Sequence, residues 1–189
     1  MVQKLFTTFE GGAIVCQTMR KLKKRIDYLK NFGFAGESTV VAPGINAKMN
    51  EFQAALGLLQ LKYADQVRLK RKEVADYYRI HLKDVKGIRF LEDIEGVTHS
   101  YSYFPILIDS EYYGMTRDEL YQKLKDNNIF TRRYFYPLIS NFSSYSSLPS
   151  ASFENLPLAN KISEKILCLP IYPELNKTAL SEIIKIIIN

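Results

Sequence analysis

The most regular pattern of apolar positions begins near Asn50 and predicts one long helix. Apolar side chains recur there at spacings of three and four, as on one face of an α-helix. The run is Phe52, Leu56, Leu59, Tyr63, Val67, Lys70, Val74 and Tyr77, in which only Lys70 is polar. Asn50 and Gln53 have the spacing of a capping box, and continuation to about Leu82 predicts a helix roughly 50 Å long. Such a length is typical of a helix that leaves one domain and becomes the spine of another.

The chain before this helix predicts two short strands and a shorter helix. Residues 5–9 and 13–16 are β-prone, and Glu10-Gly11-Gly12 between them has the composition of a turn. Residues 18–30 follow a helical pattern, and its apolar face is Met19, Leu22, Ile26 and Leu29. A strand pair with no further strands nearby indicates the end of a larger sheet.

The chain after Gly87 alternates short strands and helices, which predicts a small α+β domain. Strands are predicted at residues 88–91, 101–108 and 129–134, and a serine-rich loop at 140–152. Helices are predicted at 116–127, where Thr116 and Glu119 have the capping-box spacing, and at 156–167 and 177–188.

Charge and composition exclude several classes of function. The chain has 26 Lys+Arg and 20 Asp+Glu, a net charge of +6, but its basic clusters lie in helix-like segments, where a solvated face explains them. Nucleic-acid binding is therefore a weak alternative, and no aromatic-basic RNA-binding signature accompanies the charge. The two cysteines and two histidines have no metal-site spacing, so no metal is expected. Neither a membrane span nor a signal peptide is evident, which makes the cytoplasm the expected compartment.

Five segments, in order along essentially the whole chain, carry a resemblance to a known family. They are residues 4–15, 31–34, 44–57, 132–138 and 167–173. Together they resemble the sugar aminotransferases of the DegT/DnrJ/EryC1/StrS group, which use pyridoxal 5′-phosphate (PLP) and have fold type I. The resemblance implies an α/β fold built from the end of the large-domain sheet, a long interdomain helix and a small α+β domain. The implied boundaries are 1–45, 46–82 and 83–189.

The resemblance also implies roles for five residues. Lys4 stands where the family has the lysine that bonds covalently to the PLP aldehyde. Asn46 matches an asparagine that reaches the cofactor phosphate of the other subunit, which implies a homodimer with shared active sites. Lys48 is a candidate for a substrate phosphate, although a surface lysine is an equal alternative. Tyr134 and Tyr136 are candidates for sugar contact, because alternate residues of a strand share a face.

The reaction implied by the resemblance is transfer of an amino group from glutamate to a nucleotide-linked 4-keto-6-deoxy sugar. Family proteins are about twice as long, so an absent N-terminal half is expected to be required, and the chain alone is expected to be inactive. Alternatives remain: a C3-specific aminotransferase, a dehydratase that replaces the lysine by histidine, which Lys4 argues against, and a non-catalytic interaction module.

Overall fold

A computed structural model describes residues 5–17 and 20–189 of the chain. Lys4 and Met19, both singled out in the sequence, lie outside these residues. The chain divides into two compact units, one ending at Ala64 and the other spanning Asp65–Asn189. Helix α2 contributes residues to both.

The first unit contains helix α1 (Arg20–Leu29) and the beginning of helix α2 (Glu51–Leu82). The prediction of a helix after residue 18 is confirmed over its described part. The predicted strands at 5–9 and 13–16 are wrong, because both segments have irregular backbone. A strand needs a hydrogen-bonded neighbour, and within the described residues no segment pairs with either one.

Residues 5–9 instead pack against α2. The backbone N–H of Thr7 donates to Oε1 of Gln60 at 2.8 Å, and the side chain of Thr8 is buried. A Cβ on Gly57 would lie 2.8 Å from Cγ2 of Thr8. Glycine at this position of the helix therefore permits the close approach of the segment.

Helix α2 begins as predicted, but only the later part of the predicted apolar face is buried, at Val74 and, in part, Tyr77. Oδ1 of Asn50 accepts from Gln53 N at 2.9 Å, and Oε1 of Gln53 accepts from Asn50 N at 3.2 Å, which confirms the capping box. Phe52 and Leu59 of the predicted apolar face are 86% and 55% exposed. The buried positions in the second half of the helix are Arg71, Val74, Ala75, Tyr78 and Leu82. Leucines and aromatics lie all round the first half, so the sequence did not single out one face.

The second unit is built on a four-stranded antiparallel sheet. Its strands are β1 (Ile88–Phe90), β2 (Phe104–Ile108), β3 (Arg132–Arg133) and β4 (Ile166–Leu169). The order in the sheet is β1-β2-β4-β3, and Ile106 of β2 pairs with Leu167 of β4. The two central strands are the most buried, which is why both read as continuous apolar runs.

Helices and the end of α2 complete this unit. The helices are α3 (Ser110–Tyr113), α4 (Arg117–Asp126), α5 (Pro157–Lys165) and α6 (Lys177–Ile188). The largest fully buried side chains are Tyr78, Leu82, Ile106, Ile108, Leu120, Leu124, Leu167 and Ile187. The Tyr78 hydroxyl donates to the carbonyl of Pro170 at 2.8 Å, so its polar end is satisfied inside the core. Its burial raises its pKa well above the ordinary value.

Two predictions for this unit are wrong in detail. The helix predicted at 156–167 ends at Lys165, and the following residues form strand β4. A short apolar run does not distinguish a buried strand from a helix turn, because both keep every side chain from water. The strand predicted at 129–134 is reduced to Arg132–Arg133, since Tyr134 and Phe135 form a turn. The serine-rich loop contains short 3₁₀ turns.

The capping box of α4 is confirmed. Oγ1 of Thr116 accepts from Glu119 N at 3.2 Å, and the Glu119 carboxylate accepts from Thr116 N at 2.7 Å. The bond from the Thr116 backbone, together with that from its hydroxyl, lowers the pKa of Glu119. Across residues 5–17 and 20–189, no helix is both long enough and apolar enough to cross a bilayer. The same residues contain no group of three or more His, Cys, Asp or Glu side chains placed to hold a metal ion.

Candidate functional site

Asn46 lies on a loop that is fastened to the end of helix α1. The N–H of Ile45 donates to Leu29 O at 2.9 Å, and that of Ala47 donates to Lys30 O at 2.9 Å. Asn46 itself forms an isolated antiparallel bridge with Asn31. Its side chain is exposed and forms no hydrogen bond with another described residue. A fixed backbone thus presents a free amide group, which can donate to an anion such as a phosphate.

Two glycines make this loop possible. A Cβ on Gly44 would lie 2.5 Å from Leu29 O and 2.3 Å from Gly33 N, so no other residue fits without a backbone shift. Gly33 has a φ of 86°, in the left-handed region, and a Cβ there would meet Ala42 O at 1.7 Å. The Asn-Phe-Gly-Phe and Gly-Ile-Asn segments of the sequence therefore meet in space as one structural unit.

Lys48 is exposed and close to the same loop. Its Nζ lies 5.5 Å from the centroid of the Phe32 ring, an arrangement that allows a cation–π contact. Within the described residues the ammonium forms no ion pair, so its charge is available to an anionic ligand. Asn46 and Lys48 both belong to the unit that ends at Ala64.

Tyr134 and Tyr136 belong to the second unit, and the reasoning that placed them on one face of a strand is wrong. Strand β3 ends at Arg133, and Phe135 has a φ of 44° in the following turn. The Tyr134 ring packs edge-on against Tyr103, with centroids 5.0 Å apart. Partial burial is the main cause that raises the pKa of the Tyr134 hydroxyl. Tyr134 therefore lies in a turn after the strand, where its ring contacts Tyr103.

Tyr136 packs against two guanidinium groups that sequence reasoning missed. Its ring centroid lies 4.5 Å from Cζ of Arg117 and 5.4 Å from Cζ of Arg133. Arg117 is buried, pairs with Asp118 at 2.8 Å, and donates to Ser163 O at 2.9 Å. This arrangement holds the Tyr136 ring while leaving it partly exposed, as a ligand-contacting ring requires.

The sequence carried a signal for Arg117 that went unused. The residue follows the N-cap Thr116, where the helix dipole disfavours a positive charge. A base at that position needs another reason to be there, and the structure supplies it in the buried contacts with Ser163 and Tyr136.

A second polar cluster, also missed, fastens the loop before β2 to helix α2. Arg79 pairs with Asp93 at 2.7 Å, and the hydroxyl of Tyr101 donates to Asp93 at 2.5 Å. Burial alone would raise the pKa of Asp93, but the hydrogen bonds from Tyr101 and Arg79 outweigh it and lower that pKa. The Nε2 atom of His99 accepts a hydrogen bond from Ile94 N at 3.1 Å. A cavity of about 330 Å³ lies beside this cluster.

Comparison with known proteins identifies relatives over the whole chain. It is 50% identical over 188 residues to a dTDP-4-amino-4,6-dideoxy-D-glucose transaminase of Escherichia coli, covering 100% of this chain and 50% of that protein. It is 42% identical over 184 residues to the transaminase of the same name from Shigella dysenteriae, covering 97% and 49%. The chain thus spans about half the length of the curated relatives it matches.

The fold agrees with these matches. The structure of DesI solved in the presence of its TDP-sugar product superposes with a TM-score of 0.75 and 28% identity, covering 85% of this chain and 40% of that one. The sequence profile of the DegT/DnrJ/EryC1/StrS aminotransferases, a family of PLP enzymes, matches residues 2–188. The resemblance seen in the five segments is thereby confirmed, and the chain belongs to the DegT/DnrJ/EryC1/StrS aminotransferase family.

Proposed function

We propose that this chain forms part of an aminotransferase that moves an amino group from glutamate to a nucleotide-linked 4-keto-6-deoxy sugar. The observation that carries the proposal is the 50% identity over 188 residues to a dTDP-4-amino-4,6-dideoxy-D-glucose transaminase. Sugar contact is proposed for Tyr134 and Tyr136, and contact with a substrate phosphate for Lys48.

Two residues of this chain are proposed to contact PLP, Lys4 at the aldehyde in its own subunit and Asn46 at the phosphate in the other subunit. The exposed, unpartnered amide of Asn46 is a suitable donor to the cofactor phosphate, because a neutral amide on a fixed backbone binds an oxyanion at little entropic cost. Lys4, which lies outside the described residues, is proposed as the covalent partner of the aldehyde. When bound, PLP supplies an electron sink that stabilises negative charge at the substrate carbon next to nitrogen.

In this proposal, three residues of the chain have specific roles. Lys4 would hold the cofactor through its side-chain amine and would carry the proton that moves at the substrate carbon. Tyr136, which packs against Arg117 and Arg133, would limit where a sugar ring can lie. Lys48 would supply a positive charge to a phosphate of the anionic nucleotide.

We propose that this chain is active only when it is combined with the half of the fold that its relatives have and that lies outside the match. The test is a chimaera in which this chain is fused to the half of the Escherichia coli transaminase that the match does not include. With glutamate and dTDP-4-keto-6-deoxyglucose, we expect the chimaera to form the 4-amino sugar and the chain alone to form none. When the corresponding 3-keto sugar is supplied in a parallel assay, faster formation of the 3-amino sugar contradicts the proposed regiochemistry. An inactive, folded chimaera supports the non-catalytic module instead.

A homodimer with shared sites is also proposed, since Asn46 is assigned to the phosphate in the other subunit. Mixing Lys4→Ala and Asn46→Ala chimaeras tests it, because one of the two sites in a mixed dimer then has both native residues. We expect mixing and refolding to restore about a quarter of the native activity. If the mixture is no more active than the average of its two components, both residues act within one subunit.

A further inference from the structure

A basic groove runs along helix α1 in the first unit. It has a volume of about 340 Å³ and is lined by Lys21, Lys24, Arg25, Tyr28, Leu29, Val41 and Ala42. These helix positions are spaced by three and four residues, so one face of α1 forms one wall. The opposite wall is fixed, because the N–H of Val41 donates to Gly33 O at 2.9 Å.

Some basic residues in and beside α1 form ion pairs with a carboxylate, whereas those that line the groove form none with a described residue. Lys23 and Lys30 pair with Asp27 at 2.7 and 2.8 Å, which lowers the pKa of that carboxyl to about 2. Among the described residues no carboxylate pairs with Lys21, Lys24 or Arg25. Three like charges within about one helical turn repel one another, so a bound anion would relieve the repulsion.

Apolar side chains also line the groove, which distinguishes it from a cluster of lysines on an open surface. Leu29 and Tyr28 are half-buried, and Val41 and Ala42 face them across the groove. Nζ of Lys24 lies 5.8 Å from the centroid of the Tyr28 ring, which restricts the position of that ammonium. A partly fixed cation such as Lys24 binds an anion with less loss of side-chain entropy than a free one does.

The geometry points to a binding site for a diphosphate group in this groove. Three cations match the negative charges spread over two linked phosphates better than the charge of a single small anion. A volume of about 340 Å³ accommodates a diphosphate with a ring attached, and the apolar wall could contact such a ring. The inference does not depend on the proposed transamination, because none of the lining residues has a role in it.

Isothermal titration of the full chain with inorganic diphosphate, without divalent cations, tests the site. The matched variants are K21Q/K24Q, which removes two groove lysines, and K62Q/K70Q, which removes two exposed lysines of α2. We expect the groove variant to bind about tenfold more weakly, and the control within about twofold of the native chain. Circular dichroism establishes that both variants keep the native helix content.

Two further titrations sharpen the result. Inorganic phosphate is expected to bind more weakly than inorganic diphosphate. A nucleoside diphosphate should bind more tightly than inorganic diphosphate if its ring contacts the apolar wall. Equal affinity for these two would indicate that the free diphosphate ion is the ligand. Equal weakening by both double variants would overturn the site, because net charge alone would then explain binding. Equal affinity for phosphate and diphosphate, or no heat with diphosphate at millimolar concentration, would also overturn it.

Discussion

Replacement of Lys4 by alanine is expected to reduce the transamination rate of the chimaera roughly 10³-fold or more, because the proposed nucleophile is removed. Alanine has no amine to attack the cofactor aldehyde and no group to carry the proton at the substrate carbon. The rate is measured as single-turnover conversion of the keto sugar, since that step depends on chemistry and not on product release. The expected loss lies in the rate constant and not in sugar affinity.

Two controls separate the chemistry from charge and folding. Lys4→Arg keeps the positive charge, but a guanidinium stays protonated and cannot act as the nucleophile, so we expect the same loss. Lys62→Ala removes an exposed lysine of α2 and is expected to leave the rate unchanged. A Lys4→Ala chimaera that keeps native single-turnover rates would remove the proposed role.

Replacement of Leu167 by alanine is expected to lower the free energy of unfolding by about 2–5 kcal/mol, which is the largest stability effect anticipated. Leu167 is fully buried on central strand β4, opposite Ile106 of β2. Truncation loses the burial of the side chain and leaves a cavity that the antiparallel sheet cannot easily collapse. Urea denaturation followed by circular dichroism measures the change.

The matched control is Leu158→Ala on helix α5, because the side chain of Leu158 is 69% exposed. It should change the free energy of unfolding by less than about 0.5 kcal/mol. A double-mutant cycle of Leu167→Ala with Ile106→Ala should give a coupling energy of about 0.5 kcal/mol or more, since the two side chains are cross-strand neighbours. Additive effects would contradict the pairing of β2 with β4.

The elements with local signals were predicted well. The capping boxes at Asn50 and Thr116 mark the starts of α2 and α4, because their hydrogen bonds lie within four residues of sequence. Helix α6 has a continuous apolar pattern and was also predicted. These features need no information about the rest of the fold.

The elements that were predicted wrongly depend on partners that are distant in sequence. Residues 5–9 are as β-prone as β1, yet they pack against Gln60 and Gly57 instead of pairing with another strand. The first two residues of strand β4 were included in a predicted helix, because the position of β4 between β2 and β3 is not encoded in its own four apolar residues. A tertiary neighbour, and not local propensity, decides such segments.

In the candidate site, too, the sequence predicted local features but not contacts between distant residues. The turn residues Pro43-Gly44 indicated a bend before Asn46, but the bonds from that bend to Leu29 and Lys30 came only from the structure. Tyr134 and Tyr136 were placed on a strand that ends before them. The guanidinium of Arg117 beneath Tyr136 depends on packing between α4 and a loop nearly twenty residues away in sequence.

Covalent trapping tests most directly whether this chain supplies the cofactor-binding lysine. The chimaera is incubated with PLP, reduced with borohydride, digested and mapped by mass spectrometry. The account predicts that the reduced cofactor is attached to the peptide that contains Lys4, at close to one per chain. Stoichiometric attachment to a different lysine, with Lys4 unmodified, would contradict it.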